Sequence, residues 1–567
     1  METSQVESKI LRAGLSLCVP SFQLILPLHT SSYKLIRAKL GAGLSSRGDP
    51  MDLGADRPKN ESVIGLSSQS EWSNGKRSAM GTTRNLDHDP QQKPLGNHTG
   101  ISIAMVLPPS ILIVGGGVFG LSTALSLRQR HPEAKITLVE SSPTIPNPHG
   151  SSVDTSRIVR ADYANAAYSK LAAAAIQKWR STAWGRQGRY TQNGLLLVYP
   201  ADSVSAKEYA RKSYNNVRQI EGDNVVFLPS QKDVLSVVPP YGEDLDVAGG
   251  YVNWGSGWSD AGASVAFAKQ MLDADGKVEF RHGNVDRVLF DEPASASASA
   301  SAFAAGKGKG KGKPRAKGVA LTNGTTLTAD LVVLATGAWT PRLVDLRGKA
   351  VATGQAIAYI KISDAEQREL ENLPTILNFA TGMFIIPPRD NLLKIARHAY
   401  GYRNPITVPV PGVGAPKETM AVSLPETGGP VPLEGQDAFR EALKQLLPRF
   451  VERPFADTRI CWYTDTPDGD FIVSYHPDYE GLFLATGGSG HAYKFFPVLG
   501  DKVVDAMEGT LDPELQKLWE WTEANTPAPG TNMDDLFDGD GSRSGARNSN
   551  LQEELAKTRK AYRESAL

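Results

Sequence analysis

A single glycine-rich turn constrains the fold of this chain more than any other segment. The apolar run Ile111 to Val114 leads into Gly115-Gly-Gly-Val-Phe-Gly120, an apolar stretch follows, and a second apolar run ends at Glu140. This is the order of a βαβ unit that binds a dinucleotide: a strand, a tight turn, a helix, a second strand and an acidic residue at its end. Glycine turns are common on their own, so a purely structural turn is the alternative.

The residue types of this unit have separate tasks. Gly115 permits the sharp turn, Gly117 lets the backbone approach a pyrophosphate, and Gly120 lets the helix pack closely against the strand. Unpaired N–H groups at the start of the helix attract phosphate oxygens, and the Glu140 carboxylate can accept hydrogen bonds from a ribose. Because NAD and FAD both contain a pyrophosphate and a ribose, the unit alone does not distinguish between them.

Composition narrows the class of protein. The chain has 567 residues, 61 basic and 61 acidic side chains, and 40% hydrophobic residues, which predicts a globular protein without a nucleic-acid partner. Two cysteines, Cys18 and Cys461, are too few for a disulfide framework and favour a reducing compartment. No apolar run reaches the roughly 18 residues of a membrane span. We expect a small-molecule substrate, no membrane partner and a monomer.

The pattern along the chain predicts several segments. Residues 1–104 are polar and lack periodicity, which predicts a disordered N-terminal extension, with a mitochondrial presequence as the alternative. Ala-Ser and Gly-Lys repeats predict a low-complexity loop at 292–317. The other predicted segments are a discontinuous nucleotide-binding domain at 105–200, 255–350 and 455–515, a substrate domain at 201–254 and 351–454, and a C-terminal tail at 516–567.

Individual elements can also be predicted. Apolar spacing predicts an amphipathic helix over 165–181, and Asp260 is expected to cap another helix. The apolar run 331–337 predicts a buried parallel strand that ends in a glycine. A second strand and glycine turn at 482–487 precedes a helix predicted over 497–507. Two stretches far apart in sequence are therefore expected to form one nucleotide-binding domain, with the substrate domain inserted between them.

Several side chains outside the turn are suited to chemistry. Cys461 is a candidate, although a buried, inert cysteine is the common alternative. In a strand, Lys394 and His398 project from one face, for which a solvated face is the alternative. In a helical turn, Arg157 and Arg160 would point the same way, and guanidinium groups bind carboxylates or phosphates, although many arginines are surface residues without a role.

Five motifs together resemble the FAD-dependent sarcosine oxidase family of the D-amino-acid-oxidase-like superfamily, which includes fungal saccharopine, pipecolate and fructosyl amino acid oxidases. The motifs are Gly115-Gly-Gly-Val-Phe-Gly120, Ser156-Arg-Ile-Val-Arg160, Leu393-Lys-Ile-Ala-Arg-His398, Cys461-Trp-Tyr-Thr-Asp-Thr-Pro-Asp468 and Gly488-Ser-Gly-His-Ala-Tyr-Lys-Phe495. The resemblance runs from about Ser110 to about Gly509. It implies an α/β (α+β) fold, in which a Rossmann-like FAD-binding domain accompanies a substrate domain with a mixed, largely antiparallel sheet.

The resemblance also implies how the cofactor is held. Cys461 matches the cysteine that is covalently bonded to the 8α-methyl carbon of the flavin, and Lys394 matches the lysine beside flavin N5 that promotes reduction of oxygen. Arg157 matches an arginine near the flavin ring. The implied cofactor-binding residues are Gly115, Gly117, Val118, Phe119, Gly120, Glu140, Ser156, Arg157, Val285, Gly337, Cys461, Gly488, Gly490, His491 and Lys494.

For the substrate, the resemblance implies that Arg160 and Lys494 hold a carboxylate while His398 and Tyr163 line the pocket, with Lys394 as the fifth catalytic residue. The implied reaction transfers a hydride from a C–H beside a secondary amine to FAD. Water then hydrolyses the imine, and oxygen is reduced to hydrogen peroxide. The fingerprint taken alone also allows an NAD-dependent dehydrogenase, and a non-catalytic flavoprotein is a third possibility.

The likeness is uneven within the family. The arginine pair and His491 resemble sarcosine, saccharopine or pipecolate oxidases, whereas Trp254-Gly-Ser-Gly-Trp258 resembles the fructosyl amino acid oxidases. An N-substituted amino acid is therefore the expected substrate, with a fructosyl amino acid or a secondary-metabolite amine as alternatives. The ending Ser565-Ala-Leu567 is similar to the peroxisomal address Ser-Lys-Leu but lacks its basic residue, so the predicted location is cytoplasmic or peroxisomal.

Overall fold

The computed structural model describes residues 105–291, 312–413, 418–528 and 543–565. The predicted extension at 1–104, most of the predicted loop at 292–317 and the last two residues of the chain lie outside the described residues. The described part contains 22 strands and 11 α-helices.

The strands are β1 Ser110–Val114, β2 Lys135–Glu140, β3 Arg157–Val159, β4 Tyr190–Thr191, β5 Leu195–Tyr199, β6 Val225–Leu228, β7 Gly249–Asn253, β8 Gly257–Ser259, β9 Val278–His282, β10 Val285–Asp291, β11 Arg315–Leu321, β12 Thr326–Thr328, β13 Leu331–Leu334, β14 Val351–Lys361, β15 Thr375–Asn378, β16 Met383–Arg389, β17 Leu392–Arg397, β18 Pro405–Pro409, β19 Thr419–Ser423, β20 Phe455–Asp465, β21 Ile472–Tyr475 and β22 Leu482–Thr486. The α-helices are α1 Val118–Arg130, α2 Ala166–Ser181, α3 Val204–Glu221, α4 Gln231–Val237, α5 Ala261–Asp275, α6 Thr340–Leu343, α7 Asp364–Leu370, α8 Leu433–Leu446, α9 Phe496–Glu508, α10 Pro513–Trp519 and α11 Leu551–Ser565.

A six-stranded sheet carries the glycine turns. Its order is β21-β22-β13-β1-β2-β9, and all neighbours are parallel except β21 and β22. Strands β13 and β22 are buried along their whole length, as continuous apolar runs in a covered parallel sheet should be. Because parallel strands end at one edge, the turns after β1, β13 and β22 lie at the same edge, where such sheets bind ligands.

An eight-stranded sheet is the second large sheet of the fold. Its order is β20-β14-β17-β16-β15-β5-β7-β6, with every neighbouring pair antiparallel except β5 and β15. Strands β5 and β20 hydrogen-bond within this sheet, although the sequence pattern places them in the nucleotide-binding segments. A mostly parallel sheet beside a mixed, largely antiparallel one is the predicted α/β (α+β) fold, which is confirmed.

Three smaller sheets complete the described strands, with orders β3-β8-β4, β10-β11-β12 and β18-β19. The first corrects a sequence-based expectation. Arg157 begins β3, which pairs antiparallel with β8, so the helical turn expected to align Arg157 with Arg160 is wrong. The β-branched residues Ile158 and Val159 favour an extended backbone and lie opposite Trp258 and its neighbour.

The predicted helix starts are confirmed. The side chain of Asn165 accepts a hydrogen bond from the Ala167 N–H at the start of α2, and Asp260 accepts one from Ala263 at the start of α5. Helix α9 spans one residue more at each end than predicted and packs against α1. In the part of the chain that the structure describes, no helix has the length and apolar character needed to cross a membrane.

Candidate active site

A cavity of about 390 Å³ lies at the carboxyl edge of the six-stranded sheet. The predicted cofactor residues that line it are Gly115, Gly117, Val118, Phe119, Glu140, Arg157, Val285, Gly337, Gly488, Gly490 and His491. Gly120, Ser156, Lys494 and Cys461 do not line this cavity. The structure thus brings residues from six separate stretches of the chain to one cavity.

Two glycines of the fingerprint are required by close backbone packing. Gly115 has a φ of +107°, and a Cβ atom at this position would lie 2.5 Å from the carbonyl oxygen of Ala335. At Gly120 a Cβ would lie 1.9 Å from the carbonyl oxygen of Gly115. Helix α1 therefore starts directly against the turn, which places its first N–H groups beside the cavity.

Glu140 holds this turn in place. Its Oε2 accepts a hydrogen bond from Gly116 N at 2.7 Å, while Oε1 accepts from Ser141 Oγ, Ser142 N and Asn147 Nδ2, each at 2.9 Å. Three of the four donors share Oε1, so Oε2 still has a lone pair for a further donor. Glu140 lines the cavity as predicted, but here its oxygens stabilise the glycine turn, and contact with a ribose stays a prediction.

The cavity fits a bound dinucleotide. It extends from Glu140, at the end of β2, to Tyr463 on β20 of the other large sheet. At Gly490, with φ +73°, a Cβ would lie 2.3 Å from the ring of Tyr463, so a side chain at this position would be forced against the cavity wall. At Gly117, a Cβ atom would lie 3.0 Å from Ser152 Oγ, so a side chain at this position would also be crowded. An elongated cavity with a glycine cradle and a helix start suits an adenine dinucleotide such as FAD.

A second cavity, of about 340 Å³, contains all five predicted catalytic residues. These are Lys394, His398, Arg160, Lys494 and Tyr163. The two cavities share the lining residues Arg157, Tyr463, Gly490, His491 and Tyr493. Because the walls are shared, a group bound at the inner end of the first cavity is next to a molecule bound in the second.

One end of the second cavity contains a buried lysine and a buried arginine. Lys494 Nζ donates to Tyr163 OH at 2.8 Å and to the carbonyl of His491 at 2.7 Å. The guanidinium of Arg160 lies 4.7 Å from the centre of the Tyr163 ring, and its buried Nη1 has no hydrogen-bond partner among the described residues. Burial lowers the pKa of Lys494 well below its usual range, and the charge of Arg160 lowers it further. A carboxylate would satisfy the free donor, balance the charge of Arg160 and favour the protonated form of Lys494.

The two histidines at this cavity are neutral. Burial, together with neighbouring cations, lowers the pKa of His398 and of His491 well below the usual range. His491 Nε2 lies 2.7 Å from the carbonyl of Gly469, which requires a proton on that nitrogen. Its Nδ1 then accepts from Tyr163 OH at 2.9 Å. Tyr163 thus links Lys494 to a histidine of fixed tautomer.

Lys394 lies on β17 with its side chain buried. Its Nζ donates to Asp154 Oδ2 at 2.8 Å and to the carbonyl of Ser156 at 2.7 Å. Burial lowers the pKa of Lys394 to about 8 in spite of the opposing charge of Asp154. Asp154 was missed by sequence reasoning, and its only local signal is that it precedes Arg157 by three positions.

Cys461 is 1% exposed and lines neither of the two cavities. Its Sγ lies 3.2 Å from Arg157 Nη2, and both Arg157 and the nearby Tyr463 line both cavities. The sulfur therefore lies directly behind Arg157, one of the residues that both cavities share.

The C-terminal segment also reaches the second cavity, which sequence reasoning missed. Arg543 lines it and forms a bidentate pair with Asp465, at 2.7 and 2.9 Å. Isolated bridges join Ala399 to Ser544 and Arg403 to Asn550. The polar composition around Arg543 carries no signal for this placement, because its partners lie about 80 or more positions earlier.

Comparison of the sequence and the fold with known proteins supports a FAD-dependent oxidoreductase. The model of the FAD-dependent oxidoreductase family (DAO) matches residues 110–506. "Amino acid oxidase imqH" of Aspergillus flavus is 34% identical over 491 residues, covering 75% of this chain and 100% of that protein. "L-saccharopine oxidase" of Schizosaccharomyces pombe is 27% identical, covering 73% and 93%. A solved structure of modified fructosyl peptide oxidase from Aspergillus nidulans has a TM-score of 0.66 at 26% identity, covering 78% and 98%.

Proposed function

This chain belongs to the family of FAD-dependent oxidoreductases, and we propose that it oxidises the C–N bond of an N-substituted amino acid with oxygen as the electron acceptor. The observation that carries the proposal is the buried Arg160 donor without a partner, which lies with Lys494 in the cavity that also contains Lys394. The second cavity thus combines a site for a carboxylate with a lysine suited to oxygen reduction. It adjoins the first cavity, which fits the cofactor.

Each residue has a task in this proposal. Arg160 and Lys494 hold the substrate carboxylate, and Tyr163 with His398 orients the rest of the molecule in the second cavity. FAD, when bound, supplies the hydride acceptor and the route by which electrons reach oxygen to form hydrogen peroxide. The ammonium of Lys394 stabilises the negative charge that oxygen gains, because a preorganised charge in a site shielded from water acts strongly.

We further propose that the cofactor is covalently attached through Cys461. The contact between its sulfur and Arg157, which lines both cavities, supports this attachment. Precipitation of the purified protein with acid should leave the yellow colour in the pellet. Free FAD above a colourless pellet would refute the attachment, and Cys461→Ser, in which colour should move to the supernatant, is the control.

The relatives support the substrate class. Two of them are named L-saccharopine oxidase and monomeric sarcosine oxidase, after N-substituted amino acids. A fructosyl amino acid is the second candidate, because the solved structures with high similarity include fructosyl peptide oxidases. A secondary-metabolite amine is a third candidate, and import into peroxisomes stays a prediction.

A peroxide-coupled screen of sarcosine, pipecolate, saccharopine and fructosyl amino acids tests the proposal. We expect peroxide from at least one N-substituted amino acid and much slower peroxide formation from its carboxamide, which lacks the negative charge that pairs with Arg160 and Lys494. Reduction of nicotinamide by a protein without bound flavin would instead favour a dehydrogenase. Bound FAD without peroxide from any secondary amine would favour a non-catalytic flavoprotein.

A further inference from the structure

Asp154 is a buried carboxylate that contacts three residues around the junction of the two cavities. Its Oδ2 accepts hydrogen bonds from Lys394 Nζ at 2.8 Å and from Arg157 Nη1 at 2.5 Å. Its Oδ1 accepts from Tyr359 OH at 2.5 Å and from the backbone N of the adjacent Thr155 at 2.7 Å. Its side chain has no exposed surface. One carboxylate therefore balances two buried cations, and breaking such an arrangement leaves a charge without a partner.

Strand register brings these groups to one face of the eight-stranded sheet. Tyr359 on β14 is the direct antiparallel partner of Lys394 on β17, so the two side chains project together. On the other side of β14, Cys461 pairs with Gln355, four residues before Tyr359 and therefore on the same face. Asp154 comes from the segment between β2 and β3, 240 positions before Lys394.

Asp154 is ionised. Burial alone raises the pKa of this carboxyl, but the charges of Lys394, Arg157 and Arg459 outweigh burial and hold the pKa well below its usual range. For Lys394, burial and Arg157 lower the pKa, and Asp154 is the main group that raises it. The charged and titratable groups around the pair of Lys394 and Asp154 are Arg157, Cys461, Tyr359 and Arg459, of which Arg459 acts on Asp154.

The contacts also set the direction of the ammonium. A lysine has three N–H donors. Two are used by Asp154 and by the carbonyl of Ser156, and the side chain lines the second cavity. The third donor is thus available to a molecule in that cavity. On the other side of Asp154, the fork of Arg157 reaches the carbonyl of Ser151 and the sulfur of Cys461.

We propose that Asp154 is a positioning residue that keeps Lys394 protonated and directs it at the second cavity. The inference rests on the proposed role of Lys394 in oxygen reduction. Without the carboxylate, a buried ammonium beside a guanidinium loses its proton at a lower pH, and the charge that would assist oxygen is absent under neutral conditions.

The test compares Asp154→Asn, which keeps the shape of the side chain, with Tyr359→Phe, which removes one hydrogen bond to the same carboxylate and leaves its charge. Two quantities are measured across pH in the flavin-containing protein. The first is the rate of reoxidation by oxygen after anaerobic photoreduction. The second is the affinity of the oxidised protein for sulfite, which adds reversibly to flavins to give an anion and therefore reports nearby positive charge without turnover.

For Asp154→Asn we expect the midpoint of the reoxidation profile to move down by about two pH units, with about tenfold slower reoxidation and weaker sulfite binding at neutral pH. Tyr359→Phe should stay close to the unmodified protein. If the asparagine variant does not fold, Asp154→Ser, which leaves room for water, carries the same expectation.

A third variant separates this inference from the proposed function. Lys394→Met should weaken sulfite binding and slow reoxidation at every pH below the midpoint of the unmodified protein, where Lys394 carries its proton. If it does and Asp154→Asn leaves both quantities and the midpoint unchanged, the inference about Asp154 is overturned while the role of Lys394 stands. If Lys394→Met changes neither quantity, the proposed role of Lys394 fails first.

Discussion

At the scale of single residues, Lys394 divides the proposed reaction into two halves that can be measured separately. We predict that Lys394→Met leaves reduction of the protein by substrate largely intact but slows reoxidation about a hundredfold, since one preorganised charge contributes about 3 kcal/mol to such a step. Stopped-flow absorbance of the flavin follows both halves. Equal slowing of the two halves would show that Lys394 acts on structure or substrate rather than on oxygen.

Arg160 differs from Lys394 because its buried donor without a partner is proposed to bind the substrate carboxylate, whereas Lys394 is proposed to act on oxygen. Replacing Arg160 with glutamine should lower kcat/KM by roughly thirtyfold, since a hydrogen bond to a charged group contributes about 2 kcal/mol. Steady-state assays should compare an amino acid substrate with its carboxamide. The loss of kcat/KM should be confined to the substrate that has the carboxylate. An equal loss for both molecules would contradict a carboxylate site at Arg160.

At the scale of elements, the start of α1 tolerates no side chain at Gly120. A Cβ there would lie 1.9 Å from the Gly115 carbonyl, whereas at Gly262, in the first turn of α5, the nearest neighbour would be 3.8 Å away. Gly120→Ala should therefore lower the melting temperature and the bound flavin, measured by the ratio of visible to ultraviolet absorbance. Gly262→Ala, the matched control, should stabilise the protein slightly or leave it unchanged. A fully loaded, stable Gly120→Ala protein would contradict the close packing of turn and helix.

Elements encoded by local patterns could be predicted from the sequence. Strand β1 with its glycine turn, helix α2, the Asp260 helix cap and helix α9 all depend on residues near one another in the chain. Strand β3 was expected to be a helical turn, because an arginine spacing of three fits a helix, while its pairing with β8 lies about 100 positions away. Pairing at that separation leaves no local periodicity to detect.

Prediction of the site residues from the sequence has the same limit, because it too depends on residues near one another in the chain. Lys394 and Cys461 could be singled out because residues around them form recognisable motifs. Asp154 and Arg543 could not, since each acquires its importance from partners more than 75 positions away. A lone aspartate or arginine in a polar stretch has the same sequence pattern whether it is solvated or buried in an ion pair.

At the scale of the whole molecule, the two cavities depend on different parts of the chain. The first is built on the six-stranded sheet and its glycine turns, and none of the described residues 543–565 lines it. The second includes Arg543, while α11 packs on α8 and Thr558 Oγ1 accepts a hydrogen bond from Leu433 N. Cofactor binding and substrate binding should therefore respond differently to loss of the C-terminal contacts.

Arg543→Met tests this separation. The variant leaves Asp465, whose side chain has no exposed surface, without its guanidinium, which should lower the free energy of unfolding by about 3 kcal/mol or more. We expect the flavin content of the folded protein to be unchanged and kcat/KM for the amino acid substrate to fall. Lys557→Met, which breaks a pair whose lysine side chain is 71% exposed, is the matched control and should change neither quantity. Loss of flavin from a folded Arg543→Met protein, with kcat/KM per bound flavin intact, would mean that the C-terminal segment supports the first cavity instead.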